Sequence, residues 1–153
     1  MDTWSGSGRC LAALAALLVL SAGAAGCAST QGGGGDGAEV VSVNERDFAI
    51  SASPRGLQAG DVVFRDDNHG PDAHELIVAR APGTSGVVHL PFRSDGLTVS
   101  EEQLKRAIVG ALEPGEEGAV RELHVRLAPG RYVLFCNMAG HFMAGMETVV
   151  TVQ

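Results

Sequence analysis

The sequence has few cysteines, no excess of positive charge and no apolar stretch long enough to cross a membrane. Its 153 residues include three cysteines, and 11 Lys and Arg stand against 18 Asp and Glu, which gives a formal net charge of −7. This acidic balance argues against a nucleic-acid partner. The apolar run Cys10–Leu20 is far shorter than the roughly 20 residues that a transmembrane helix needs. We therefore expect no permanent transmembrane helix.

Residues 1–26 instead have the organisation of a secretory signal. Arg9 supplies the positive charge at the start, the apolar run Cys10–Leu20 follows, and small residues occupy positions 21–26. A charged start, an apolar centre and a small-residue end are typical of a signal peptide that is removed on export. We therefore predict an exported protein.

Cys27 is the candidate lipid anchor. The segment Ala24-Ala25-Gly26-Cys27 resembles a bacterial lipobox, in which the cysteine becomes the lipidated first residue of the mature protein, although Ala24 stands where a branched aliphatic residue is usual. The alternative is cleavage after Ala22-Gly23-Ala24, which would leave an unpaired thiol in an oxidising compartment. We favour the anchor. It would hold the protein on the outer face of the cell membrane or in the periplasm.

Residues 27–38 are rich in glycine and form a predicted flexible tether, and residues 39–153 form one predicted domain. Cys10 lies in the predicted signal and Cys27 in the anchor motif, so Cys136 alone belongs to the domain. No structural disulfide is then available despite the export, and the remaining thiol needs another explanation.

Short β-rich runs with turns between them dominate the predicted domain, which indicates an all-β fold, most simply a β-sandwich. These runs are Val40–Val43, Phe48–Ala52, Val62–Phe64, His74–Ala79, Val120–Leu127 and Tyr132–Cys136. Residues 82–114 are the exception. Ser100-Glu101-Glu102-Gln103 has the form of a capping box, and apolar residues at helical spacing follow it. We predict a short helix around residues 100–112 within an excursion that packs over one sheet.

The segment Cys136–Met146, here named the ligand loop, places Cys136, His141 and Met146 at the spacing Cys-x4-His-x4-Met between two strand-like runs. Gly140 and Gly145 permit the backbone angles that a tight loop requires. Thiolate and thioether are soft ligands, and zinc rarely uses thioether. Two His, one Cys and a weak axial Met describe a blue-copper electron-transfer centre. A second histidine must therefore come from elsewhere in the chain.

His74 is the preferred second imidazole, because it follows a turn and opens an apolar strand. His69, five residues earlier in the turn, is the alternative. His89 lies in the excursion and His124 on a strand among charged residues, so both are expected to be solvated. For any one of these residues, ordinary packing or solvent exposure is the simpler explanation. The hypothesis rests on their combination.

Two methionines could supply the axial sulfur. Met146 follows Gly145 and re-enters a strand, whereas Met143 lies only two residues beyond His141 and is expected to point elsewhere. We therefore prefer Met146, although either residue could instead fill space in the core.

Three segments together resemble the small cupredoxins of the azurin, auracyanin and sulfocyanin type and bacterial cupredoxin-like lipoproteins. They are Asn68-x5-His74-Glu75-Leu76, Pro129-Gly130-Arg131-Tyr132 and Cys136-Asn137-x2-Gly140-His141-x3-Gly145-Met146. The resemblance covers about residues 39–153 and implies a monomeric Greek-key β-sandwich with one type 1 copper. It implies His74, Cys136 and His141 as copper ligands, with Met146 axial, in an electron carrier that cycles between Cu(II) and Cu(I).

Asn68 is a candidate for joining the two loops that carry ligands, and Asn137 could serve likewise; both are equally ordinary turn residues. In the family, the C-terminal histidine reaches the surface through an apolar patch where a redox partner docks. Here that patch would comprise Met138, Ala139, Phe142, Met143 and Ala144, with Pro71 nearby. The alternative is that Phe142 and Met143 pack inward.

Other functions explain this combination of residues less well than electron transfer does. A lipoprotein that stores or delivers copper without redox turnover is the main alternative, because it could use the same ligands. Multi-domain copper oxidases need further histidine pairs, often His-x-His, and the sequence has none. A Cys136–His141 nucleophilic pair would lack a helix N-terminus and an orienting third group. We therefore expect that the protein is not an enzyme.

Overall fold

Two mixed β-sheets form the computed structural model, which describes Met1 and residues 37–153. The strands are β1 (Glu39–Arg46), β2 (Ala49–Ser53), β3 (Gly56–Leu57), β4 (Gly60–Asn68), β5 (His74–Arg80), β6 (Ile108–Gly115), β7 (Val120–Leu127), β8 (Gly130–Phe135) and β9 (Glu147–Val152). Within the described residues one short helix, α1 (Glu101–Leu104), lies between β5 and β6. In the part of the chain that the structure describes, no helix is long and apolar enough to cross a membrane.

Residues 2–26 of the predicted signal, Cys27 and all but the last two residues of the predicted tether lie outside the described residues. The exported and lipid-anchored state therefore stays a prediction from the sequence.

The first sheet has the strand order β2-β1-β4-β7, and the second has the order β3-β9-β8-β5-β6. In the first sheet β1 runs parallel to β4, and the other pairs are antiparallel. Alternate residues of both sheets meet in a common apolar core, including Val41 and Phe64 from the first sheet and Val78 and Leu134 from the second. Such alternation is expected when one face of each sheet is buried. The predicted β-sandwich is confirmed.

The adjacent strands β8 and β5 of the second sheet are buried on both faces, which explains their nearly continuous apolar sequences. On the outer face, Ile77 of β5 and Phe135 of β8 belong to a second buried cluster. Residues of the excursion cover this face, among them Leu90, Val99 and Leu104. The excursion therefore packs over one sheet, as expected.

The predicted helix around residues 100–112 is wrong beyond Leu104. Residues 108–115 form β6, which pairs antiparallel with β5. Half-buried Ile108 and Leu112 alternate with exposed Val109 and Ala111, so the apolar pattern also fits a strand. The apolar pattern therefore fits both a helix and a strand. Residues 108–115 form a strand because they pair with the free edge of β5, and no local feature of the sequence indicates that this edge is available.

Three charged side chains lie together on the core face of the first sheet. Glu45 of β1 and Asp66 of β4 are fully buried, and the guanidinium of Arg121 on β7 contacts both carboxylates. Burial raises the pKa of Glu45 to about 8, and the neighbouring Asp66 acts in the same direction, while Arg121 opposes them. Burial also raises the pKa of Asp66. A Glu45 carboxyl group that keeps its proton leaves the Asp66 carboxylate as the negative charge that Arg121 balances.

The stability of the fold should therefore fall as the pH rises. Glu45 ordinarily loses its proton near pH 4.5, and in the folded protein it keeps the proton until about pH 8. Between these values the folded state binds more protons than the unfolded state, so the free energy of unfolding decreases with pH. Since one pKa unit is worth about 1.4 kcal/mol, we expect a fall on the order of 2–4 kcal/mol.

Urea denaturation at pH 5, 6.5 and 8 measures this fall. Glu45→Gln should flatten most of it, whereas Glu117→Gln, at an exposed turn position, should behave as the wild type does. An equally steep fall in Glu45→Gln would contradict the assignment of this proton to Glu45.

Candidate metal centre

Three donor atoms converge at one end of the sandwich. His74 is the first residue of β5, Cys136 directly follows β8, and His141 lies in the ligand loop between β8 and β9. Their donor atoms all lie within 4.8 Å of one another. The Cys136 Sγ atom is 3.5 Å from Nδ1 of His141 and 4.0 Å from Nδ1 of His74. Both imidazoles therefore present the same ring nitrogen to the thiol.

The ligand loop folds back on itself through its own backbone. The Met146 N–H donates to the His141 carbonyl at 3.0 Å, and the Cys136 N–H donates to the Met146 carbonyl at 3.2 Å. Gly140 and Gly145 have φ values of 84° and 96°, in the left-handed region that residues with a Cβ rarely adopt. The predicted need for glycine at both positions is thus confirmed.

The position of Met146 favours it over Met143 as the axial ligand. Met146 is fully buried, and its backbone is bonded to the residues that supply the thiol and one imidazole, whereas the side chain of Met143 is 61% exposed. Its role as a ligand stays a prediction.

Of the four histidines outside the ligand loop, the structure brings only His74 to Cys136 among the described residues. His74 is fully buried. His69, the alternative, is exposed, and its Nε2 atom lies 3.5 Å from Asp67 Oδ1. His89 and His124 are exposed as well, as expected.

The protein around Cys136 keeps the thiol protonated in the absence of a metal. Burial raises the pKa of Cys136 to about 11, although hydrogen bonds from the N–H groups of Met138 and Glu75 to the sulfur oppose the rise. The Glu45 and Glu75 carboxyl groups raise the pKa further. A neutral buried thiol is a poor nucleophile. It becomes a ligand when a cation replaces its proton, so metal binding here releases a proton.

The imidazole of His141 is suited to coordination at neutral pH. Burial lowers its pKa, and the neighbouring His74 acts in the same direction, while Asp72 and Asp47 oppose them. A lowered pKa keeps the ring neutral, and a neutral ring nitrogen has the lone pair that a metal ion needs.

Asn68 does not perform the expected role. Its side-chain amide donates to the carbonyls of Asp72 at 2.8 Å and Gly115 at 2.9 Å, and its carbonyl accepts from Gly70 N–H. These bonds join residues 68–74, here named the His74 loop, to the end of β6 rather than to the ligand loop. Asn68 was one of two candidates for this role, and the position of Gly115 at the end of β6 determines what its side chain reaches.

Glu75 makes the connection that was expected of Asn68. Its Oε1 atom accepts the backbone N–H of Asn137 at 3.0 Å, so the residue after His74 is bonded to the residue after Cys136. Glu75 is the second residue of β5, directly after a ligand, and its polarity in an otherwise apolar run was the available signal.

Asn137 joins the ligand loop to the excursion. Its side chain accepts from Val99 N–H at 2.6 Å and donates to the Val99 carbonyl at 3.1 Å and to Glu101 Oε1 at 2.9 Å. Both Asn137 and Val99 are buried. The excursion is therefore part of the scaffold that holds the ligand loop.

The apolar surface beside His141 differs in part from the expected one. Met143 is exposed, as are Ala139 and Ala144. Phe142 packs inward, with its ring 5.5 Å from that of Phe135 and 5.7 Å from that of Phe92, measured between centroids. Phe142 is half-buried, so the inward alternative is correct for this residue.

Phe48 and Asp47, in the turn between β1 and β2, were missed. The Phe48 ring is 48% exposed and meets the His141 ring edge-on at a centroid distance of 5.2 Å. Asp47 Oδ1 lies 3.1 Å from Nε2 of His74. In the sequence Phe48 begins the predicted β-rich run Phe48–Ala52. Asp47 carries no local signal, because its contact with His74 joins positions 27 residues apart.

Comparison with known proteins identifies the fold. No protein-family model and no curated protein sequence matches the chain. Among solved structures, auracyanin A, a "blue" copper protein of Chloroflexus aurantiacus, is 15% identical, with a TM-score of 0.57 over 76% of this chain and 100% of its own. Reduced auracyanin from Roseiflexus castenholzii is 17% identical, with a TM-score of 0.53 over 76% and 99%. Rusticyanin from Thiobacillus ferrooxidans is 12% identical, with a TM-score of 0.53 over 76% and 79%.

The chain therefore has the cupredoxin fold. Two imidazoles and one thiol at the end of the sandwich, with a buried methionine in the same loop, match the donor set of a type 1 copper centre. Donor chemistry and fold together support one copper of this type.

We predict that Asn137→Ala destabilises the protein by about 1–3 kcal/mol, because it leaves the buried N–H and carbonyl of Val99 without their partner. Urea denaturation of the metal-free protein measures the change. Glu101→Gln, which keeps the acceptor oxygen for Asn137, should have a much smaller effect. A stability of Asn137→Ala equal to that of the wild type would show that the excursion does not support the ligand loop.

Proposed function

We propose that the protein is a type 1 blue-copper electron carrier that is tethered to a membrane surface. The observation that carries this proposal is the convergence of His74, Cys136 and His141 within 4.8 Å on a cupredoxin fold. His74, Cys136 and His141 would hold the copper, with Met146 as a weak axial ligand.

Electron transfer is favoured because the site is held from several directions. A trigonal set of two His and one Cys with a long Met contact is tolerated by both Cu(II) and Cu(I). The bond from Glu75 to Asn137 joins the two ligand-bearing segments, and the Asn137 side chain anchors the ligand loop to Val99. Rigid ligands limit the change of shape between oxidation states, which keeps the barrier to electron transfer low.

The path to a partner would pass through His141. His74 and Cys136 are fully buried, whereas His141 is half-buried and lies beside exposed Met143 and Phe48. A small apolar surface of this kind suits the brief, small-area encounters of redox proteins. We propose that a redox partner docks over His141, Met143 and Phe48.

The membrane tether is proposed from the sequence alone. Cys27 in its lipobox-like setting would carry the lipid, and residues 28–38 would give the domain reach from the surface. The cupredoxin fold is compatible with an exported protein but gives no information on whether Cys27 carries a lipid.

Spectroscopy of the purified full-length protein tests the copper assignment. With Cu(II), the wild type should show the intense thiolate-to-copper absorption and the EPR signature of a blue centre. Cys136→Ser should lose the band, because its sulfur is the donor in the transition. Met146→Leu should keep a shifted band and raise the reduction potential, because the thioether is a weak ligand.

An unchanged spectrum in Cys136→Ser would overturn the proposal. A wild-type protein that stays colourless with Cu(II), and binds only Cu(I), would instead favour copper storage or delivery.

Electron self-exchange between two copies tests the docking surface without a known partner. Met143→Lys places a like charge on both copies where two exposed apolar surfaces would meet. If this repulsion raises the free energy of the encounter complex by about 1.4 kcal/mol, the self-exchange rate falls tenfold. Val40→Lys is the matched control, because Val40 is also exposed but lies at the far end of β1. Rates measured by NMR should fall about tenfold in Met143→Lys alone, with unchanged spectra. Equal rates in both variants would contradict docking at this surface.

A further inference from the structure

The turn between β1 and β2 contacts both imidazoles without supplying a ligand. Asp47 lies against His74, and Phe48 lies against His141. We propose that Asp47 is a positioning residue that holds the His74 ring in the tautomer and orientation needed for metal binding and favours Cu(II) over Cu(I). The copper part of this inference rests on the function proposed above.

The hydrogen-bond chemistry of the pair determines the tautomer. A carboxylate only accepts hydrogen bonds, so the contact of 3.1 Å between Asp47 Oδ1 and His74 Nε2 requires the proton on Nε2. Nδ1 then carries the lone pair, and Nδ1 is the atom that faces the Cys136 sulfur at 4.0 Å. A carboxylate behind a ligating histidine fixes the ring and increases its basicity toward the metal.

Gly70 leaves the space that this contact occupies. A Cβ at position 70 would lie 2.5 Å from Asp47 Oδ1, 2.9 Å from Asp47 N and 3.1 Å from His74 Nε2. Gly70 is buried, so the clash could not be relieved by moving into solvent. The absence of a side chain at position 70 therefore allows the Asp47 carboxylate and the His74 imidazole to approach each other.

Backbone contacts hold the turn against the His74 loop. The His69 N–H donates to the Glu45 carbonyl at 2.9 Å, and the Asp72 N–H reaches Asp47 Oδ1 at 3.4 Å. Phe48 has a φ of 61°, an uncommon value for a bulky residue, which persists only where surrounding contacts impose it. The same conformation brings the Phe48 ring to His141 and the Asp47 carboxylate to His74.

The charge of the carboxylate gives the inference a redox consequence. Asp47 is 30% exposed while His74 has no exposed surface, so the negative group lies at the boundary between the site and solvent. A negative charge behind a ligand favours the more positive ion. Its removal should weaken Cu(II) binding more than Cu(I) binding and raise the reduction potential.

Three variants separate orientation from charge. Asp47→Ala removes both the acceptor and the charge, and Asp47→Asn keeps an acceptor oxygen but removes the charge. Asp72→Asn is the matched control, because Asp72 also acts electrostatically on His141 but offers only its backbone to the Asp47–His74 pair. The measurements are the His74 tautomer in the metal-free protein by ¹⁵N NMR, Cu(II) affinity by chelator competition, and the reduction potential by voltammetry.

In Asp47→Ala we expect mixed tautomers and a loss of Cu(II) affinity of about 10–100-fold. A loss that is tenfold greater for Cu(II) than for Cu(I) corresponds to a potential about 59 mV higher. Asp47→Asn should retain the wild-type tautomer and still raise the potential. Asp72→Asn should leave the tautomer unchanged, because Asp72 offers only its backbone N–H to the Asp47–His74 pair.

The inference is overturned if Asp47→Ala keeps a single tautomer and the wild-type potential, or if Asp47→Asn leaves the potential at its wild-type value. The isosteric Asn variant decides the matter if Asp47→Ala does not fold. A wild-type protein without a blue centre would overturn the proposed function instead, and the tautomer of the metal-free protein would still test the contact.

Discussion

A polar group that is buried must find a partner, because its lost hydration is otherwise not replaced. This constraint governs the end of the sandwich where the thiol of Cys136 and the imidazole of His74 lie without exposed surface. The backbone N–H groups of Glu75 and Met138 donate hydrogen bonds to the Cys136 sulfur, and the Asp47 carboxylate accepts a hydrogen bond from Nε2 of His74. In these two side chains, Sγ of Cys136 and Nδ1 of His74 remain available for coordination. They face each other across the position that a metal ion would occupy.

Strand β1 connects this site to the stability of the fold. Glu45 lies on its core face, where Arg121 contacts both Glu45 and Asp66, and Asp47 follows two residues later in the turn that reaches His74. The Glu45 carboxyl group also acts on the Cys136 thiol. The buried charges therefore occupy the same end of the molecule as the ligands, and a change in one cluster alters the electrostatic environment of the other.

Most of the fold was predictable, because alternating apolar residues and turn residues are local signals. The region 100–112 was the exception. Leu104, Ile108 and Ala111 satisfy a helical period, but Ile108–Gly115 lies along the edge of β5 and completes the second sheet. Gly110 is in close contact there, since a Cβ would lie 2.9 Å from a methyl group of Val125. Pairing of distant segments outweighed the local pattern.

The sequence alone was enough to predict the ligand loop, because Cys136, His141 and Met146 lie within eleven residues and two glycines permit the turn between them. It also indicated His74, which opens a strand, over His69. Only the tertiary structure decided what surrounds the ligands: Asp47 behind His74, Glu75 as the connection between ligand segments, and Phe142 turned inward. The physical reason is separation along the chain. A spacing of a few residues restricts geometry through the backbone itself, whereas Asp47 and His74 meet only after two sheets have packed and aligned their ends.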